Sequence, residues 1–303
     1  MTILLLSLMA CGDVSNDIFD DDADFLAALP AAERQTVGFS EDTTEAEARG
    51  VGERAELVDL SVSIAGGVNT FVFNVLGLVD HVRTLPPTER TQDSRRWGPY
   101  TDGCDVDATL LIARNLGVYD WSVSGHPPEG DDAVVLYGTH FSGTSVSAGD
   151  GSFVWDQGRY SGWCGAAETG LVTVAYDNRE GVDLLVDVAG WSDGTAEPTD
   201  WRYAYSRADS AGDFQYRTRE DLADDGSDAL ADVTVRDRWV PGAGGRSDAV
   251  VTGGGFGAAE WRWSQCWDAR GVLTWETDNL GVFGESGDVT QCAFTEAAEV
   301  DRL

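Results

Sequence analysis

The chain has 303 residues, 20 of them basic and 53 acidic, for a formal net charge of −33; every basic residue is an arginine. Such a charge repels phosphate, which argues against nucleic acid and anionic lipid surfaces as partners. Hydrophobic residues make up 42%, and 11 Trp with 36 Gly suit strands and tight turns rather than a helical bundle.

Ile3 to Ala10 is an apolar run too short to span a bilayer, and it fits the h-region of a secretory signal at residues 1–10. Its end, Leu8-Met9-Ala10-Cys11, resembles the lipobox of bacterial lipoproteins. That resemblance implies cleavage before Cys11, acylation of its thiol and a lipid anchor in the cell envelope. No Lys or Arg precedes the run, a departure from the usual signal. Gly12 rather than Asp follows the cysteine, which by the same resemblance favours the outer membrane. Residues 11–50 read as an acidic flexible tether. Positions 13–50 hold seven Asp, four Glu and two Arg, and such like charges extend a segment. Phe25-Leu26-Ala27-Ala28-Leu29 is an apolar island within it.

A single β-rich domain is expected over residues 51–303, opening with a helix over about 55–84. Ile64, Val68, Phe71, Val75, Leu78 and Val82 recur at alternating spacings of four and three, and Pro86-Pro87 stops the pattern. Leu60 to Val79 carries no charge, so a transmembrane span must be weighed. Asn69, Thr70, Asn74 and three glycines argue instead for a helix packed on or in a sheet.

From Cys104 onward the period changes to two. Trp201, Tyr203 and Tyr205 alternate with polar or small residues, as do Phe214 and Tyr216, Val233 and Val235, and Trp261 and Trp263. Further strands are expected at 104–114, 117–125, 132–142, 151–157, 169–177, 182–191, 247–253, 271–278 and 289–295. Short turns such as Asp177-Asn178-Arg179-Glu180-Gly181 separate them, so the sheet should be antiparallel. The expected fold is an up-and-down β-barrel-like domain with the helix packed on or in it; a two-sheet β-sandwich is the alternative. Arg202, Arg217, Arg236 and Arg262 lie opposite the aromatics mid-strand, against a barrel that itself spans a membrane.

In an exported chain, Cys104, Cys164, Cys266 and Cys292 point to two disulfides, with three connectivities open. Closeness of the C-terminal strands favours Cys266 with Cys292, which leaves Cys104 with Cys164.

No nucleophile elbow, zinc-protease helix or phosphate loop is present. His140 lies near Ser142 and Ser145, without any alignment that sequence can show. Asp102, Asp105 and Asp107 are candidates for a calcium site, as is the cluster Asp224, Asp225 and Asp228; solvated turn acids are the simpler account. Trp201, Trp261 and Trp263 are candidates to line an apolar ligand pocket, against the reading that they fill the core.

Three stretches carry a wider resemblance: Asp22-Ala23-Asp24-Phe25-Leu26-Ala27-Ala28-Leu29-Pro30; Gly67-Val68-Asn69 through Leu85-Pro86-Pro87-Thr88 with Trp97-Gly98-Pro99; and Gln265-Cys266-Trp267-Asp268 with Gly287-Asp288 and Cys292-Ala293-Phe294. Together they resemble a group of uncharacterised lipoproteins from myxobacteria and relatives. The resemblance implies export, lipidation and a β-rich domain, and no activity. The expectation is a non-enzymatic binding or structural module, anchored to the membrane by lipid. An apolar ligand, a carbohydrate or another envelope protein is its partner class, and nucleic acid is not. The rival is an envelope hydrolase using Asp and Glu as acid and base.

Overall fold

The computed structural model describes residues 17–39, 51–101, 104–127, 131–145, 148–195, 197–220 and 230–300. Cys11, the signal segment, Asp102 and the cluster Asp224, Asp225 and Asp228 lie outside them.

Period-two patterning folds as the sequence predicts, into one antiparallel sheet in which sequence order is spatial order. Its strands are β1 (Glu89–Arg90), β2 (Ser94–Thr101), β3 (Asp107–Asn115), β4 (Val118–His126), β5 (Ala133–Ser145), β6 (Ala148–Asp156), β7 (Thr169–Asp177) and β8 (Val182–Ser192). They continue as β9 (Thr199–Ala208), β10 (Ala211–Glu220), β11 (Ala231–Val240), β12 (Gly244–Gly253), β13 (Trp261–Trp267), β14 (Leu273–Asp278) and β15 (Ser286–Gly287). Among the described residues no pairing joins β15 to β1, so the meander is not closed by hydrogen bonds.

One face is apolar and buried. Cross-strand neighbours Trp121, Gly138, Phe153, Val174, Val186, Tyr203, Tyr216, Val235, Ala249 and Trp263 form a single row from β4 to β13. Apart from Gly138 these side chains are all among the buried core residues. Such same-face pairs are the unit of sheet stabilisation.

A helical layer covers this face. It contains α1 (Asp17–Ala27), a 3-10 turn at Ala32–Arg34, and α2 (Glu56–Arg83), within one residue of the expected helix at each end. By length and composition α2 could cross a membrane. Here Leu57, Ser61, Ala65, Val68, Val72, Val75, Leu76, Val79 and Val82 are buried along one side of it. Its first turn meets the late strands: the Leu57 N–H donates to Gln265 Oε1 at 2.9 Å, and Ser61 Oγ lies 3.0 Å from Tyr216 Oη. Phe71 sets its edge on Trp191 of β8 at 5.5 Å. Val82 shares a small cavity wall with Leu110 and Val123 of β3 and β4. The helix therefore reaches from one end of the strand order to the other. Laid flat, β3 to β13 would span roughly 48 Å, against about 42 Å for a helix of this length, so the ordinary twist of a sheet brings strands at both ends within reach of α2.

Three expectations change. Residues 17–39 are folded, although the sequence reads as tether throughout 11–50. Phe25, Ala28 and Leu29 are fully buried, and Asp21 and Asp22 pair with arginines of the first strands. Segment 289–295 is not a strand; Val289–Gln291 is a 3-10 turn. Strand β2 and the short helix α3 (Gln157–Trp163) have no counterpart in the sequence reading.

Both disulfides join the expected partners, Cys104 with Cys164 and Cys266 with Cys292. The second has a purpose different from stapling strands. It ties the C-terminal segment to the outer face of β13. The segment then crosses the sheet, its carbonyls held by arginines: Arg246 donates to Thr295 O and Arg236 to Glu299 O, each at 2.8 Å. The Ala298 N–H donates to Asp248 at 2.8 Å.

Glycines let indoles lie flat on the buried face. Gly212 is paired with Trp239, and Gly245 lies between Trp239 and Trp267. A Cβ on Gly212 would stand 2.1 Å from the Trp239 ring. Gly212→Ala is expected to lower the unfolding free energy by about 1–3 kcal/mol, as overpacking does, which urea titration measures. An unchanged midpoint would show that Trp239 is free to move.

Candidate functional site

Facing away from the helices, the sheet presents polar side chains on the alternate parity. Here the register builds a groove over β5 to β10. One row runs Thr139, Ser152, Ala175, Leu185, Ala204 and Gln215. The next runs Phe141, Asp150, Asp177, Asp183, Ser206 and Asp213. Small side chains at 152, 175, 204 and 206 make the floor shallow. The hollow has a volume of about 670 Å³ and adjoins a second of about 770 Å³ at the β7–β8 and β9–β10 turns. Phe294 of the C-terminal segment and Arg238 beneath it, 4.8 Å from the ring centroid, wall the far side. Toward β3 the groove continues into an apolar hollow of about 370 Å³ beside Leu111 and Tyr137.

Asp150, Asp177 and Asp183 stand directly opposite one another on three adjacent strands. Like charges in that relation destabilise a sheet. Arg179, in the β7–β8 turn, relieves part of the repulsion. It forms an ion pair with Asp177 and lies 3.4 Å from Asp150. The Arg179 side chain, with its backbone N–H, holds the Asp177 carboxyl below its ordinary pKa. Asp213 is gripped by Arg236, with Nη2 to Oδ2 at 2.8 Å and Nε to Oδ1 at 3.1 Å. Asp183 is exposed, and among the described residues it has no ionic partner. On β5, Tyr137 and Phe141 are 45% and 46% exposed, so the groove has open aromatic faces beside its carboxylates and hydroxyls. Carboxylates and hydroxyls with exposed rings are the groups that hydrogen-bond and stack a polyhydroxylated molecule.

The residues singled out from sequence lie elsewhere. Trp261 and Trp263 are on the buried face, stacked at 5.2 Å and covered by Phe256 and Phe283. The loop carrying Phe283 wraps the Asp278 carboxylate, which accepts from the N–H groups of Leu280, Val282, Phe283 and Gly284. Burial pulls the Asp278 pKa up, but these donors prevail and hold it down to about 2. Trp201 is half-buried and stacks on Tyr203 at 6.1 Å. These three rings fill the core rather than line the groove. Of the calcium candidates, Asp107 accepts from Thr101 Oγ1 at 2.8 Å, and Asp105 has a left-handed backbone with φ 59°. His140 is buried on the inner face with Nδ1 2.8 Å from Tyr176 Oη. Among the described residues no group of three His, Cys, Asp or Glu is arranged to hold a metal ion.

The carboxyl with a strongly raised pKa is also in the core. Asp237 is completely buried beneath α2 and accepts from Ser247, while its second oxygen has no partner among the described residues. Burial raises its pKa to about 7 against the opposing pull of the Ser247 and Ser61 hydroxyls.

No family model matches the chain, nor does any curated protein or solved structure, so the groove is read from its own chemistry.

The Asp237 shift has a defined sign. A carboxyl whose folded pKa is raised contributes stability that is full below its unfolded pKa of about 4 and is lost as pH rises through about 7. Asp237→Asn should therefore gain stability relative to the parent across that interval. Urea titrations at a series of pH values measure the difference. A difference that does not change with pH would mean that Asp237 is not held uncharged in the core.

Proposed function

We propose that the protein is a non-enzymatic envelope lipoprotein, anchored through acylated Cys11 in the outer membrane, and that it binds a polyhydroxylated, carbohydrate-like ligand in the groove over β5 to β10. The observation that carries this reading is the row Asp150, Asp177, Asp183. It places carboxylates side by side at a cost to the sheet, beside the exposed rings of Tyr137 and Phe141. Arg179 serves Asp177 and Asp150, and a ligand rich in hydroxyls supplies donors to the exposed Asp183. The hydrolase alternative asks for a carboxylic acid held protonated in the groove. Arg179 pushes Asp177 the opposite way, and the raised carboxyl, Asp237, is sealed on the other face.

Two experiments test the reading. Cys11→Ser should move the protein from the membrane fraction to the soluble envelope fraction. Retention of that variant through carbonate washing would refute the anchor. Detergent-solubilised full-length protein applied to an array of oligosaccharides should bind a subset of them. Asp183→Asn should weaken that binding by about tenfold, the value of one charge-assisted hydrogen bond, while leaving stability unchanged or raised by up to about 1 kcal/mol. Binding unaffected by Asp183→Asn, or no binding to any sugar, would refute the ligand class.

A further inference from the structure

The side of α2 that faces away from the sheet is open to solvent and uncharged. Ser63, Gly66, Gly67, Thr70, Phe73, Asn74 and Gly77 are exposed along it, with Phe73 at 47%. From Leu60 to Val79 no residue is charged, in a chain where charged residues make up 24%. A helix face kept in water ordinarily carries charge. Packing inside the chain does not require the glycines, because a Cβ added at Gly66, Gly67 or Gly77 would meet nothing within 4 Å. Half-buried Leu60, Val62, Ile64 and Phe71 form apolar shoulders on either side.

The position of the anchor says what this face meets. Helix α1 begins at Asp17 and is pinned to the sheet: Asp22 to Arg90 at 2.9 Å and to buried Arg95, and Asp21 to Arg114 at 3.1 Å. The Arg95 and Arg114 guanidinium groups also lie 4.4 Å and 4.9 Å from the Phe25 ring centroid. Cys11 stands six positions before Asp17. Six residue steps reach at most about 21 Å, against more than about 120 Å for a tether running to residue 50. A chain acylated at Cys11 is thus held close to the bilayer by the helical layer, not on a long leash. In that layer the 3-10 turn that follows α1 packs on α2. The Asn69 side chain exchanges hydrogen bonds with the Val37 backbone, N–H to Oδ1 at 2.7 Å and Nδ2 to carbonyl at 2.8 Å. The opposite face of the sheet is densely charged, with Asp120, Asp150 and Asp183 beside Arg202, Arg217 and Arg236, and is the less suited to enter the boundary between headgroups and acyl chains.

We propose that the solvent face of α2, from Ser63 to Gly77, is the surface on which the protein rests against the bilayer that holds its acyl chains. Contact is interfacial: Phe73 and the apolar shoulders enter the headgroup boundary, and the small uncharged residues between them let the helix lie close. The groove over β5 to β10, on the other face, then points away from the membrane. This inference rests on acylation of Cys11.

The test uses acylated full-length protein in phosphatidylcholine vesicles, with an environment-sensitive fluorophore on Asn74→Cys or, on the outer face, on Asp120→Cys. The label at 74 should shift to the blue and be quenched by brominated lipid, and the label at 120 should do neither. Gly67→Asp has open space around it, so that variant should fold and still float with vesicles, yet lose the shift at 74. A label at 74 that stays in water while the protein floats would overturn the proposal and leave the anchor standing. A label shielded equally without vesicles, and cross-linking between two copies through position 74, would overturn it in favour of a helix-to-helix dimer. Protein that carries no acyl group and does not float would overturn the anchor and this proposal together.

Discussion

Aromatic side chains on one face of the meander must be kept out of water, and the rest of the structure follows from how that is done. A single open sheet has no second sheet to pack on. The helical layer takes that place, and α2 touches strands from β13 at one end to β3 and β4 at the other. Each large side chain buried in this way is worth about 1.5–3 kcal/mol. The inner rows hold so many of them that the helix is integral to the sheet rather than an accessory. Glycines at 138, 212 and 245 are part of the same solution, since each lies against an aromatic ring that a Cβ would displace.

Polar groups inside this layer are few and specific. Ser61, Tyr216, Asp237, Ser247 and Gln265 form a patch where α2 begins, and they fix the helix against β10 to β13. Arg95 is 1% exposed on the same face, yet its charge is matched by Asp22 and its flat surface by the Phe25 ring. That ion pair docks α1. It also fixes residue 17, six positions after Cys11 in the sequence. Charge that would extend an isolated segment instead locks this one down.

Much of the fold is legible in the sequence where a period repeats. The helix over 56–83 and strands such as 169–177 follow from spacing alone, because each buries one face along its whole length. Strand β2 escapes for a physical reason: Arg95 occupies an inward position that the period assigns to an apolar residue, and its partner Asp22 is far away in the chain. The docked α1 escapes for the same reason seen from the other side. Cys292 reads as strand, but the C-terminal segment is held by arginine side chains crossing the sheet rather than by a ladder. The groove was out of reach, since four aspartates among 53 acidic residues carry no pattern until register aligns them. One part of it was nearer to hand: the turn 177–181 by itself nearly places Asp177 opposite Asp183.

Hydrogen exchange along α2 tests most directly whether the helix is the sheet's second layer. If it is, the amides of Ala65 to Val79 are protected as strongly as those of β10 to β12, and both open together as denaturant is raised. Rapid exchange throughout α2, with the strands still protected, would contradict the account. The sheet would then stand without the helix.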